Sequence, residues 1–228
     1  MHKTSIFAAA AAVVLMAGAA SAQTTVYSSS FEGTDGGWTG TGDWARGVPS
    51  TYDPAAAGAS ATANGGVYTA ADGQELWATV LDGPHTNMNP SASSTLSQTF
   101  DFSAVSGPIT MTFDHYLDSG SNAFDMATVQ VNGTELVLYS GSEGTYDDGG
   151  TPGDGSDDSI TYAEGVVDLT AFAGQSSVTV AFDFFASTVV NRDGWYVDNV
   201  AINAGVVPEP ASLGLIGLAG LGLLRRRS

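Results

Sequence analysis

The chain of 228 residues has no cysteine, only six basic residues and three histidines, against 24 acidic ones. Without cysteine there is no disulfide framework and no thiol nucleophile. A chain built this way holds itself together with an apolar core, with a bound metal as the remaining staple. The shortage of positive charge is deeper than the net charge of −18 shows. Lys3 lies near one terminus and Arg225, Arg226 and Arg227 lie at the other, so Arg46 and Arg192 are the body's only cations. Such a surface repels phosphate, which argues against nucleic acid and anionic lipid as main partners. Solubility, or binding of divalent cations, suits it better. No Gly-x-Ser-x-Gly elbow is present, no histidine pair has metal-binding spacing, and no convincing amphipathic helix or internal repeat appears. Hydrophobic residues make up 43% of the chain and aromatic ones 10%, enough for a core despite 29 glycines.

Both ends carry addresses rather than fold. Met1-His2-Lys3, the apolar run Ile6–Ala20 and the small-residue site Ala20-Ser21-Ala22 read as a signal peptide over 1–22, with Gln23 as mature residue one. At the other end, Val207-Pro208-Glu209-Pro210 leads into an apolar run from Ala211 to Leu224, closed by Arg225-Arg226-Arg227-Ser228. An apolar segment stopped by arginines is held by its positive end on the cytoplasmic side. It is shorter than the roughly 20 residues of a stable span, which suits a transient handle. This arrangement resembles the PEP-CTERM sorting tail of Gram-negative bacteria that make extracellular polysaccharide. The resemblance implies recognition and cleavage by an exosortase near Pro208, Glu209 and Pro210. It also implies a short transmembrane helix with a membrane-stop cluster at Arg225, Arg226 and Arg227.

Between the ends, residues 23–204 are of single-domain size, and 205–228 form the tail. Leu96, Gln98, Phe100 and Phe102 recur with period two, as do Ile109, Met111, Phe113, His115 and Leu117, and again Val178, Val180, Phe182 and Phe184. That spacing predicts half-buried strands. Asn132-Gly133 between strand-like flanks predicts a tight hairpin. Further strands are expected at Thr25–Phe31, Glu75–Leu81, Gly165–Leu169 and Trp195–Ile202. Eight or more short strands separated by turns predict an all-β fold, a two-sheet antiparallel β-sandwich.

Particular residues then resemble a known module. Phe31-Glu32-Gly33 with Gly37-Trp38, Asp114-His115-Tyr116, Asp125-Met126-Ala127-Thr128-Val129, Val167-Asp168-Leu169 through Gly174, and Gly194-Trp195-Tyr196-Val197-Asp198-Asn199-Val200 are similar to the MAM-like and cleaved-adhesin jelly-roll domains, often called choice-of-anchor domains. The resemblance implies a jelly roll used as a non-catalytic module. It also implies a structural Ca²⁺ where the first and last strands meet, bringing Glu32 and Asp198 together, with Asp125 a third candidate. Hard cations take such oxygen ligands; the alternative is that these carboxylates cap strand ends. The acidic stretch Glu143, Asp147, Asp148, Asp154, Asp157 and Asp158 lacks the order of an EF-hand and reads as a solvated loop. His115, on the apolar side of its strand, reads as a core histidine, and Trp38 and Trp195 as core aromatics. Trp77 and Tyr146 are open between core filling and saccharide stacking.

Together these features describe an exported, non-catalytic surface or extracellular-matrix protein. Its expected partners are the exosortase, the inner membrane transiently and an extracellular polysaccharide. A carbohydrate-binding module would instead line one sheet or loop rim with exposed Trp rings. A secreted hydrolase would need a pocket where two carboxylates or His115 converge.

Overall fold

The computed structural model describes residues 23–53, 57, 59, 64–66, 69–86, 93–120, 125–147, 159–187 and 191–205. Gln23–Val206 form one compact unit. The signal peptide, the Pro208-Glu209-Pro210 motif, the sorting helix, the Arg225–Arg227 cluster and Asp148 to Asp158 all lie outside the described residues. Among the described residues no helix is long and apolar enough to cross a membrane.

The strands are β1 (Gln23–Ser29), β2 (Thr39–Gly40), β3 (Ala45–Gly47), β4 (Leu76–Ala78), β5 (Ser94–Phe100), β6 (Ile109–Asp118), β7 (Asp125–Val131) and β8 (Thr134–Tyr139). They continue with β9 (Ser142–Glu143), β10 (Thr145–Asp147), β11 (Ser159–Thr161), β12 (Ala163–Asp168), β13 (Val178–Ala186) and β14 (Gly194–Gly205). The first sheet runs β12-β6-β14-β4-β3, with β1 also on β14 and β9 on β6; the second runs β2-β5-β13-β7-β8. β10 and β11 form a separate ribbon. Taking the eight long strands in chain order, the first sheet reads first-eighth-third-sixth and the second reads second-seventh-fourth-fifth. These are the two interlocked Greek keys of a jelly roll, and every pairing is antiparallel.

The period-two residues of β6 and β13 form the core between the sheets. Met111, Phe113, Leu117, Val180, Phe182 and Phe184 are buried together with Trp38, Trp44, Trp77 and Trp195. Phe182 meets Phe113 and Trp195 edge-on, with ring centroids 4.9 and 5.4 Å apart, an arrangement that adds to simple area burial. The hairpin at Asn132-Gly133 forms as expected: φ is +50° and +76° at the two residues, which a type I′ turn demands and which Asn and Gly accept most readily.

The first sheet is also covered on its outer face. A second cluster of Leu76, Ala78, Tyr116 and Tyr196 packs under Ala70, Leu81, Tyr146, Ile160 and Tyr162. Those covering residues come from the segments on either side of β4, and from the β10–β11 ribbon with the residue that follows it. The outer face of this part of β6 and β14 is therefore covered, and Asp118 and Asp198 are buried with it.

Candidate functional site

β14 is one long strand whose edge is shared in turn by two shorter ones. β1 pairs with Val200–Gly205 and β4 with Tyr196 and Val197. Between them the ladder breaks: the register shifts from Asp198 to Ala201, and Asn199 has φ +49°. On the facing chain Phe31, just past β1, has φ +60°. A bulky side chain in the left-handed region is strained, so Phe31 meets this junction under strain, while Asn199 on the other side takes the same region more readily.

The loop Ala71–Glu75 is laced across the junction. Glu32 Oε1 accepts the Gln74 and Glu75 amides at 2.6 and 2.7 Å. In return Glu75 accepts the Gly33 amide at 2.6 Å and pairs with Arg46 at 2.6 Å. Those two partners hold the Glu75 carboxyl below its ordinary range. Gly73, with φ +67°, has no room for a side chain, which would strike the Glu32 carboxylate. Asp198 accepts the Asp72 amide at 2.9 Å and the Asn199 amide at 2.7 Å. Burial, with Asp114 nearby as a lesser cause, raises the Asp198 carboxyl to about 6 against the amide bonds that lower it.

The structure thus brings Glu32 and Asp198 onto one loop. It places Asp125 elsewhere, at the start of β7, accepting the Gly120 and Ser187 amides and facing His85 at 4.0 Å. Asp114, passed over in the sequence as a ligand, is the cross-strand partner of Asp198 and accepts from Asn199 Nδ2 at 2.9 Å. Its position follows only from register. Among the described residues no three His, Cys, Asp or Glu side chains converge as a metal site. In charge the pair of buried Asp198 and half-buried Asp114 suits a cation; in ligand number it falls short, because backbone amides occupy Asp198 and the Asn199 side chain occupies Asp114.

Beside this junction lies a cleft of about 600 Å³, lined by Ser28, Ser30, Glu32, Thr34, Asn199 and Ala201 among others. It holds hydroxyls, one amide side chain and a single carboxylate.

The other nominated groups are in the core. His115 is buried, its Nδ1 accepts from Trp195 Nε1 at 3.2 Å, and its ring lies 4.6 Å from that of Tyr139. Desolvation lowers its pKa to about 4. All four tryptophans are buried, Trp77 included, and the half-buried Tyr146 packs in the second cluster. No Trp ring is left at the surface for stacking on sugar.

At the end of the sandwich where β6 finishes and β14 begins, a polar cluster escaped sequence reading. Arg192 Nη1 donates to Asp118 at 3.0 Å, and Tyr52 donates to Asp193 at 2.6 Å. The Arg192 amide donates to His85 Nε2 at 3.1 Å. Desolvation and the neighbouring Asp193 raise Asp118 to about 6, against the pull of Arg192. β14 ends at the opposite end of the sandwich, where the Gly205 amide bonds to Pro108 at 2.7 Å.

The chain leaves the sandwich at Gly205, and there the decisive similarity begins. Residues 206–228 match the PEP-CTERM protein-sorting motif. Pro208, Glu209, Pro210, Arg225, Arg226 and Arg227 all fall within the PEP-CTERM match. No curated protein matches the chain. Solved structures similar to it include a family 35 carbohydrate-binding module from Clostridium thermocellum, 14% identical, with 79% of this chain and 97% of that one covered and a TM-score of 0.36. Another is a carbohydrate-binding module described for specific mannan recognition, 12% identical, covering 81% and 99%, with a TM-score of 0.40. A third was determined with β-1,4-galactotriose, 12% identical, covering 72% and 86%, at 0.38. At these scores the jelly roll stands on the strand order described above.

Proposed function

We propose that the protein is an exported, non-catalytic component of the cell surface or extracellular matrix of a Gram-negative bacterium. Its signal peptide is removed at Ala22, and its tail holds it transiently at the inner membrane. An exosortase then cuts near Pro208-Glu209-Pro210, and the sandwich associates with extracellular polysaccharide or serves adhesion. The observation that carries this reading is the PEP-CTERM match over residues 206–228. The acidic, cysteine-free body suits an exported domain. The non-catalytic part rests on where the nominated groups sit. His115 is enclosed by rings and bonded to Trp195, and the cleft offers one carboxylate where sugar hydrolysis uses two. Calcium would act at Asp198, with Glu32 and Asp114 around it, by neutralising the one buried carboxylate and its neighbours.

The test is the intact mass of the protein recovered from the native host's surface and medium. Termini at Gln23 and within Pro208–Pro210 are expected. A protein recovered there still ending at Ser228 would overturn the sorting reading.

A further inference from the structure

The cleft beside the β1–β14 junction opens onto an uncharged row of residues across the first sheet, bounded on the same face of β12 by Glu164 and Asp168. Ser28, Ala201, Thr112 and Val166 are opposite one another in register, one from each of β1, β14, β6 and β12. Directly opposed residues share a face of the sheet, so they form a row across four strands on the outer side. Val166 stands 55% exposed at the far end of that row. The cleft at the near end holds the hydroxyls of Ser28, Ser30 and Thr34 and the side chain of Asn199. Phe31 and Asn199, both in the left-handed region, flank it, and backbone strain of the kind Phe31 carries concentrates where a surface serves a ligand.

We infer that a short stretch of neutral polysaccharide binds on the outer face of the first sheet, seated in the Ser28–Thr34–Asn199 cleft and running along the row to Val166. This rests on the surface-and-matrix reading for its choice of polymer, and the physical argument selects the class. Hydroxyl and amide groups exchange hydrogen bonds with sugar hydroxyls in both directions. Val166 offers apolar contact to the C–H face of a ring. Anionic polymers are turned away by Glu32 in the cleft and by the acidic body around it. With every tryptophan buried, recognition proceeds through hydrogen bonds, without the indole stacking on which such binding often draws.

The experiment is native affinity electrophoresis of the full chain in mild non-ionic detergent. The gels contain a neutral mannan, a galactan or a dextran, with anionic alginate as comparison. Ala201→Phe lays a ring across the cleft, and Val166→Glu puts a charge on the exposed far end. Val48→Glu is the matched control, the same substitution at a valine 58% exposed and outside the row. Thermal melts confirm that each variant is folded. The expected result is retardation of the wild-type chain and Val48→Glu by at least one neutral polymer and not by alginate. Ala201→Phe and Val166→Glu should each weaken apparent association at least tenfold. Retardation by no neutral polymer, or retardation that survives both substitutions, overturns the inference. The two readings fail separately. A chain cut at Pro208–Pro210 that no neutral polymer retards sinks the sugar site alone, and an uncut chain that is retarded sinks the sorting route alone.

Discussion

Two buried carboxylates and two buried histidines pull the acid response of this domain in opposite directions. Asp118 and Asp198 have folded-state values of about 6, above the ordinary 3.8. Between those values the folded chain holds protons that the unfolded chain has released, so these groups add stability as pH falls from about 7 to 4. His115, lowered to about 4, and His85, lowered chiefly by desolvation, do the reverse. They favour the fold above the ordinary histidine range, and that contribution is lost as pH drops through it. The wild-type melting temperature should therefore change little between pH 7.5 and 5.0. Asp118→Asn should lose about 1 kcal/mol more than wild type over that interval, and His115→Gln about 2 kcal/mol less. Thermal melts at the two pH values check both signs, and equal slopes in all three proteins would contradict the assignment. Gly165 gives a purely steric test. A side chain there would strike the Phe113 ring, so Gly165→Ala should destabilise by about 1–3 kcal/mol, read as a lower denaturant midpoint. The residue scale is also where sequence served least well. Asp125 shares a motif with the resembling family but lies at the start of β7, away from the loop that gathers Glu32 and Asp198. Asp114 became visible only through its register with Asp198.

At the scale of elements, the long strands were legible because alternation reports burial on one face. β5, β6 and β13 appear where period two placed them, and β14 covers the strand expected at Trp195–Ile202. β10, β11 and the short β2, β3 and β9 were not legible. Two or three residues carry no periodicity, and their pairing is set by partners distant in sequence. The covering of the first sheet's outer face was hidden for a related reason: Tyr116 and Tyr196 occupy positions that alternation assigns to solvent, and only the β10–β11 ribbon and the segments flanking β4 make them core. Among these elements the β7–β8 hairpin gives the cleanest test. Asn132 supplies the positive φ, and its side-chain oxygen accepts the Thr179 amide at 2.9 Å, tying the turn to β13. Asn132→Ala should destabilise by about 1–2 kcal/mol, through the left-handed backbone and the orphaned amide. Asn132→Gly keeps the first and loses only the second, so it should fall in between. A denaturant series on the three proteins measures this order, and equal stability would contradict it.

For the whole molecule, charge and address carry the account. Arg46 is engaged by Glu75 and Arg192 by Asp118, so the body's two cations are both committed to internal partners. If calcium stabilises the fold at Asp198, excess calcium at pH 7.5 should raise the unfolding free energy, by about 2.7 kcal/mol at a hundredfold excess over its dissociation constant. A chelator should reverse the gain, and acid should diminish it as Asp198 takes up its proton. Identical melts with calcium and with chelator would contradict a metal there. The central claim is that this jelly roll is delivered and released by its tail, and intact mass spectrometry of the protein from the host's surface and medium tests it most directly. The account predicts a chain beginning at Gln23 and ending within Pro208–Pro210. A chain recovered there with Arg225, Arg226, Arg227 and Ser228 still attached would contradict it.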